Sequence, residues 1–153
     1  MDPVKAHGAW LSDWLTITQD MIDAFASATL DSDPMHDDPS WAAQNSQLGV
    51  TIAYGFQTIS LLSHLLKQAL GNLDSVTSSE KGSSLNYGFN RLRLVAPVPV
   101  GARIRGRFTL EDRSVDEKGR TVTTVAAIVE IEGHERPALI AEWLSVWVPA
   151  VAA

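Results

Sequence analysis

Residues 55–70 place the strongest constraint on what this chain can fold into. Wound as a helix at about 100° per residue, Ile59, Leu61, Leu62, Leu65, Leu66, Ala69 and Leu70 fill one half of the circumference. Gln57, Ser60, Ser63, His64, Lys67 and Gln68 fill the other. Gly55 opens the segment and Gly71 is placed to end it, glycine just past the last turn being a common helix stop. An apolar arc this wide calls for a curved surface that wraps it, not a seam that touches one narrow stripe. The chain supplies such a surface. After a polar, Ser/Thr-rich stretch at 72–84 that reads as a loop, strand patterns follow at 85–95, 101–114, 121–132 and 138–148. In 101–114 the alternation is strict: Arg103, Arg105 and Arg107 share one face, and Ile104, Gly106 and Phe108 the other. Pro97 and Pro99 mark a break, residues 116–119 a hairpin turn and 133–137 a second turn. Helices first and a meander of strands afterwards make an α+β chain, with a long antiparallel sheet curled around one buried helix.

Ahead of that helix, residues 1–10 read as a loose lead-in to one domain spanning 1–153. Trp14, Leu15 and Ile17 suggest a short extended run. Thr18 is a natural N-cap for a helix over 18–29, with Asp20 in its first turn and Met21, Ile22, Phe25 and Ala28 at helical spacing. Ile17 and Ile22 are spaced as a hydrophobic staple. This helix delivers the chain to residues 31–42, Asp-Ser-Asp-Pro-Met-His-Asp-Asp-Pro-Ser-Trp-Ala. Asp31, Asp33, Asp37, Pro34 and His36 crowd into its first seven positions. Pro34 biases Asp33 away from helical angles, so the chain should bend here. Two readings stand side by side. A bend can turn Asp31 and His36 toward one point; alternatively the stretch is an Asp/Pro turn, with Asp38 capping a helix that starts at Pro39.

Composition excludes several classes. With no cysteine there is no disulfide and no thiolate catalysis, which fits a reducing, cytoplasmic setting. A net charge of −6 argues against a broad nucleic-acid or anionic-membrane surface. No apolar run approaches the roughly 18 residues of a membrane span, and no signal peptide is evident. No Gly-rich phosphate loop and no Gly-x-Ser-x-Gly elbow is present. His36 with its neighbouring aspartates offers oxygen ligands, but no second histidine has ligand spacing, so no metal is expected.

Four stretches together resemble the MaoC-like dehydratase family, and its NodN-like branch in particular: residues 12–25 from Ser12-Asp13-Trp14, residues 31–42, Thr51-Ile52-Ala53-Tyr54-Gly55-Phe56, and residues 86–97 from Asn86-Tyr87-Gly88-Phe89. They occur in family order over nearly the whole chain. The resemblance implies the hot-dog fold, a long helix wrapped by an antiparallel sheet. It also implies a dehydratase or (R)-specific enoyl-CoA hydratase chemistry on an acyl-CoA or acyl-carrier thioester, with no cofactor beyond the coenzyme A of the substrate. Hydratases of the family carry Asp-x-Asn-Pro-(apolar)-His, then Ala or Ser six residues later; here this is Asp31-Ser32-Asp33-Pro34-Met35-His36, then Ala42. Asp31 and His36 are therefore the implied catalytic pair. Gly55, Ser60, Tyr54 and Asp33 are the implied oxyanion and substrate-binding positions, Gly55 through its backbone N–H at the start of the central helix. Three residues depart from the pattern: Asp33 stands in place of Asn, Leu30 in place of a small residue, often Gly, and Tyr54 in place of a His.

A homodimer is the implied assembly, with the polar arc around His64 near the partner. Arg103, Arg105 and Arg107, like Arg91 and Arg93, are candidates for coenzyme A phosphates or simply the solvated outer face of a sheet. Two other functions compete. A hot-dog thioesterase commonly uses a carboxylate on or near the central helix, yet residues 49–73 hold no Asp or Glu. The other is a non-catalytic acyl-thioester binder or partner subunit.

Overall fold

Residues 8–71 and 82–150 are described by a computed structural model. Two short strands, β1 (Trp10–Leu11) and β2 (Leu15–Thr16), precede the helices α1 (Gln19–Thr29), α2 (Pro34–Asp37) and α3 (Pro39–Asn45). The central helix follows as α4 (Gly55–Ser60) and α5 (Leu62–Leu70). Four long strands complete the fold: β3 (Gly82–Leu94), β4 (Arg103–Val115), β5 (Thr121–Ile131) and β6 (Leu139–Pro149). All pairings are antiparallel, in the order β1-β4-β5-β6-β3, with β2 also on β4. This is the α+β hot-dog arrangement.

Strand alternation decides which face meets the helix. Ile104 and Phe108 of β4, Val125, Ala127 and Val129 of β5, and Leu139, Ala141 and Trp143 of β6 are buried, together with Leu62 and Leu65 of α5. Gly106 is a point of close approach between helix and sheet. A Cβ there would lie 2.3 Å from the Phe108 ring and 3.0 Å from Cβ of Leu65, so only glycine leaves room for both.

The opposite face carries the arginines. The β4/β5 register sets Arg105 across from Glu130. Glu130 accepts from Arg105 Nε at 2.7 Å and from Arg107 Nε at 2.7 Å, and Arg103 donates to Glu132 at 2.9 Å. Burial pushes the Glu130 carboxyl up, but the hydrogen bonds from Arg105 and Arg107 outweigh it and hold it below the usual range. Trp14 lies under the Arg105 guanidinium, 4.5 Å from ring centroid to Cζ. Arg103, Arg105 and Arg107 are thus engaged by carboxylates of the neighbouring strand.

Local signals are met closely. Thr18 caps α1 by accepting from Met21 N at 3.3 Å, and Ile17 and Ile22 are fully buried beside it. Gly71 ends α5 at φ 58°. Three expectations need correction. First, residues 55–70 do not form one uninterrupted helix: Leu61, at φ −70° and ψ −15°, stays right-handed but drifts toward the bridge region and divides α4 from α5. Second, Gln57 and Thr58 are buried while Phe56 is exposed. Gln57 lies one turn before Leu61, and the i,i+4 relation carries it into the apolar stripe. Third, the lead-in is not wholly loose, because Trp10 pairs with Phe108 in β1. Most of the expected loop at 72–84 lies outside the described residues, and 82–84 belong to β3. Among the described residues no helix is long and apolar enough to cross a membrane.

Candidate active site

The Asp/Pro turn reading of residues 31–42 is realised, with a capping aspartate at each of two turns. Asp33 caps α2, its Oδ1 accepting from Met35 N at 2.9 Å, with Pro34 in the first turn. Asp38 caps α3 in the same way, accepting from Trp41 N at 2.9 Å ahead of Pro39. Two capped turns in succession are the device that bends the chain. Asp33 has a local structural use for its carboxylate, and so has Asp37, which accepts from Ser32 Oγ at 2.5 Å.

The bend sets His36 inward. Its ring is buried, and Nδ1 lies 2.7 Å from the carbonyl oxygen of Ile52. A carbonyl can only accept, so Nδ1 carries the hydrogen. In the neutral ring this leaves Nε2 as an unprotonated acceptor. The ring also stacks on Tyr54, with centroids 3.8 Å apart at 27°. The Tyr54 hydroxyl donates to the Asp31 carbonyl at 2.5 Å. One buried side chain therefore supports the His36 ring with its face and the Asp31 backbone with its tip. Burial holds the Tyr54 phenol above its ordinary value, with the charge of Asp37 next, opposed by a backbone hydrogen bond from Asp33 and reinforced by the charges of Asp31 and Asp33. It stays a protonated donor at neutral pH.

Asp31 is exposed, directly after α1. Its N–H donates to Ala26 O at 3.1 Å. Leu30 before it ends α1 in the left-handed region at φ 60°, with its side chain 92% exposed. Gly55 follows Tyr54 and begins α4, where the first backbone N–H groups have no partner within the helix. A Cβ on Gly55 would meet Leu94 Cδ1 at 2.3 Å.

The structure thus gathers Asp31, His36, Tyr54 and Gly55 around one bend, with Asp33 as its cap. Ser60 stands apart. Its hydroxyl donates to Phe56 O at 2.8 Å, and it lines a cavity of about 500 Å³ with Ile59, Ser63, Tyr87, Phe89 and Trp143, among others, on the β3 side of the helix. Neither Asp31 nor His36 lines that cavity. His64 is exposed. Among the described residues no group of three or more His, Asp or Glu is arranged to hold a metal ion.

Sequence reasoning missed the supports of His36. Gln19 lies 17 positions from His36, the Ile52 carbonyl 16 from His36, and Thr51 32 from Gln19. No periodicity or turn signal reports contacts of that separation.

Comparison with known proteins points in one direction. Residues 6–131 match the family model described as MaoC like domain. Nodulation protein N of Rhizobium leguminosarum bv. viciae is 42% identical over 135 residues, covering 88% of this chain and 81% of that protein. The 3-hydroxyacyl-thioester dehydratase Z of Mycobacterium tuberculosis is 41% identical over 131 residues, 86% of this chain and 82% of that one. Among solved structures, the (R)-hydratase from A. caviae involved in PHA biosynthesis superposes with a TM-score of 0.71 at 21% identity, covering 95% of this chain and 98% of that one.

Proposed function

Because the chain belongs to the MaoC-like domain family, we propose that it is an (R)-specific hydratase/dehydratase adding water across the trans-2 double bond of an acyl thioester, and removing it in reverse. The observation that carries this reading is the fixed imidazole: with Nδ1 bound to Ile52 O, His36 keeps Nε2 for proton transfer, five residues from the Asp31 carboxylate. In the hydration direction a water oxygen attacks C3 of the enoyl group. One proton of that water passes to the basic member of the pair, and the other member delivers a proton to C2. Negative charge develops on the thioester oxygen as the C3–O bond forms. The Gly55 N–H, at the opening of α4 and next to Tyr54, is the donor assigned to receive it. Tyr54 supports the His36 ring and the Asp31 backbone.

Crotonyl-CoA incubated with the purified protein is expected to lose its enoyl absorbance at a rate proportional to enzyme concentration. Tight binding of the thioester without loss of absorbance, across short and medium acyl chains, would replace this reading with that of a non-catalytic acyl-thioester binder.

The active form is a homodimer. β3 pairs only with β6 among the described residues, leaving a 13-residue strand with an open edge and Leu85, Tyr87 and Phe89 exposed. Such an edge invites either a partner strand or aggregation. Light scattering at micromolar concentration should give twice the 16.6 kDa chain mass; a stable monomer would refute the pairing.

A further inference from the structure

We infer that Gln19 is a positioning residue for His36, an amide clamp that holds both the backbone of the histidine and the segment to which its ring is bonded. Gln19 opens α1. Its Nε2 donates to the His36 carbonyl at 2.8 Å and to Asp23 Oδ1 at 2.8 Å, and its Oε1 accepts from the Thr51 hydroxyl at 2.5 Å. The orientation of this amide is forced. A carbonyl and a carboxylate can only accept, so the NH₂ must face them, and both of its hydrogens are engaged. The oxygen is left for the one partner that carries a hydroxyl hydrogen.

The geometry closes a ring through the site. The imidazole is tied by Nδ1 to Ile52 O. Thr51, adjacent in the chain, is tied to Gln19, and Gln19 is tied back to the carbonyl of His36. Thr51 is itself almost fully buried, and its carbonyl accepts from Val100 N at 2.9 Å, while Ala53 N donates to Val98 O at 2.8 Å. The connector that presents Ile52 O is therefore anchored to the 98–100 segment on one side, and Gln19 locks His36 to that anchored connector on the other. Removing the amide releases the imidazole from its reference frame without touching the ring. A displacement of about 1 Å in a catalytic group can lower a rate by up to about 10²-fold. The tautomer is exposed to the same loss, because only a well-placed Ile52 carbonyl selects Nδ1–H.

This inference rests on the reading of His36 as an acid/base group, and two readouts separate the two claims. The first is ¹⁵N NMR of histidine-labelled protein, with the His36 ring signals assigned by their loss in His36→Ala. The parent should show the Nδ1–H tautomer. Gln19→Leu should show mixed tautomers, and so should Thr51→Val, which removes only the hydroxyl and stands in if Gln19→Leu does not fold; Thr51→Ser should restore the parent pattern. The second is steady-state hydration of crotonyl-CoA: Gln19→Leu should lower kcat by about 10- to 10²-fold with KM nearly unchanged. A parent tautomer and parent kcat in Gln19→Leu, with only a lowered melting temperature, would make the residue an ordinary structural tie and overturn the inference. An inactive parent whose His36 tautomer still depends on Gln19 would overturn the hydratase reading while upholding the clamp.

Discussion

Asp31→Asn and His36→Ala are each expected to lower the hydration rate by on the order of 10²–10⁴-fold, the range by which positioned acid/base groups act. The two substitutions should differ in stability. Asp31 is exposed, and an asparagine keeps its size, so the melting temperature of Asp31→Asn should match the parent. His36 is buried, stacked on Tyr54 and bonded to Ile52 O. Its removal leaves that carbonyl without its donor, at a cost of about 1–3 kcal/mol. Rates should accordingly be normalised to the folded fraction, measured by circular dichroism on the same samples. The double mutant is expected to be little worse than the worse single mutant, since groups serving one water act as a unit. Strictly multiplicative losses, or activity that survives both changes, would mean that the pair does not share the reaction.

Phe108→Ala is expected to destabilise the chain by roughly 3–5 kcal/mol. Phe108 is the largest of the fully buried side chains, its ring covers Gly106, and α5 packs against the same point through Leu65. The cavity left behind cannot be filled by either neighbour: Gly106 has no side chain, and Leu65 is held by its helix. Urea denaturation followed by tryptophan fluorescence measures the loss, and on a chain of this length it corresponds to a fall in melting temperature on the order of 10 °C. A change below about 1 kcal/mol, the scale of exposed sites, would show that the sheet does not close on the helix at this position.

What was legible in the sequence was what neighbours in the chain decide. The Thr18 cap, the Asp38–Pro39 start, the Gly71 stop and the strict alternation through Arg103 and Phe108 are each set within a few residues, and each is found. The wide apolar arc of the central helix announced a wrapping sheet because no narrower surface covers it. The interruption at Leu61 was not legible, since nothing within a turn of it departs from ordinary helix, and the burial of Gln57, at the border of the apolar arc one turn before Leu61, depends on how far the sheet reaches over that border. Gln57 Oε1 has no hydrogen-bond partner among the described residues, which no composition rule announces. The candidate site divides in the same way. Asp31 and His36 stand out as a local motif, whereas the Ile52 carbonyl and the Gln19 amide that hold His36 come from distant segments. Arg103, Arg105 and Arg107 of β4 show the converse: their shared face was readable, but their engagement by Glu130 and Glu132 depends on a register that only the paired strand defines.

Leu30 holds a left-handed backbone angle with its side chain in water, an arrangement that costs a non-glycine residue roughly 1–2 kcal/mol. Glycine would reach the same angle without strain, and many other angles besides. For leucine the left-handed basin is small and isolated, so the peptide leading into Asp31 has one narrow well where glycine would have a broad plain. The carboxylate is therefore mounted on a stiff arm rather than a swivel. That stiffness lasts only while the N–H groups of Leu30 and Asp31 remain bound to Ala26 O. Once the last turn of α1 frays, leucine leaves the left-handed region downhill and carries Asp31 away with it, so this end of the candidate site is either fully assembled or absent, with little between.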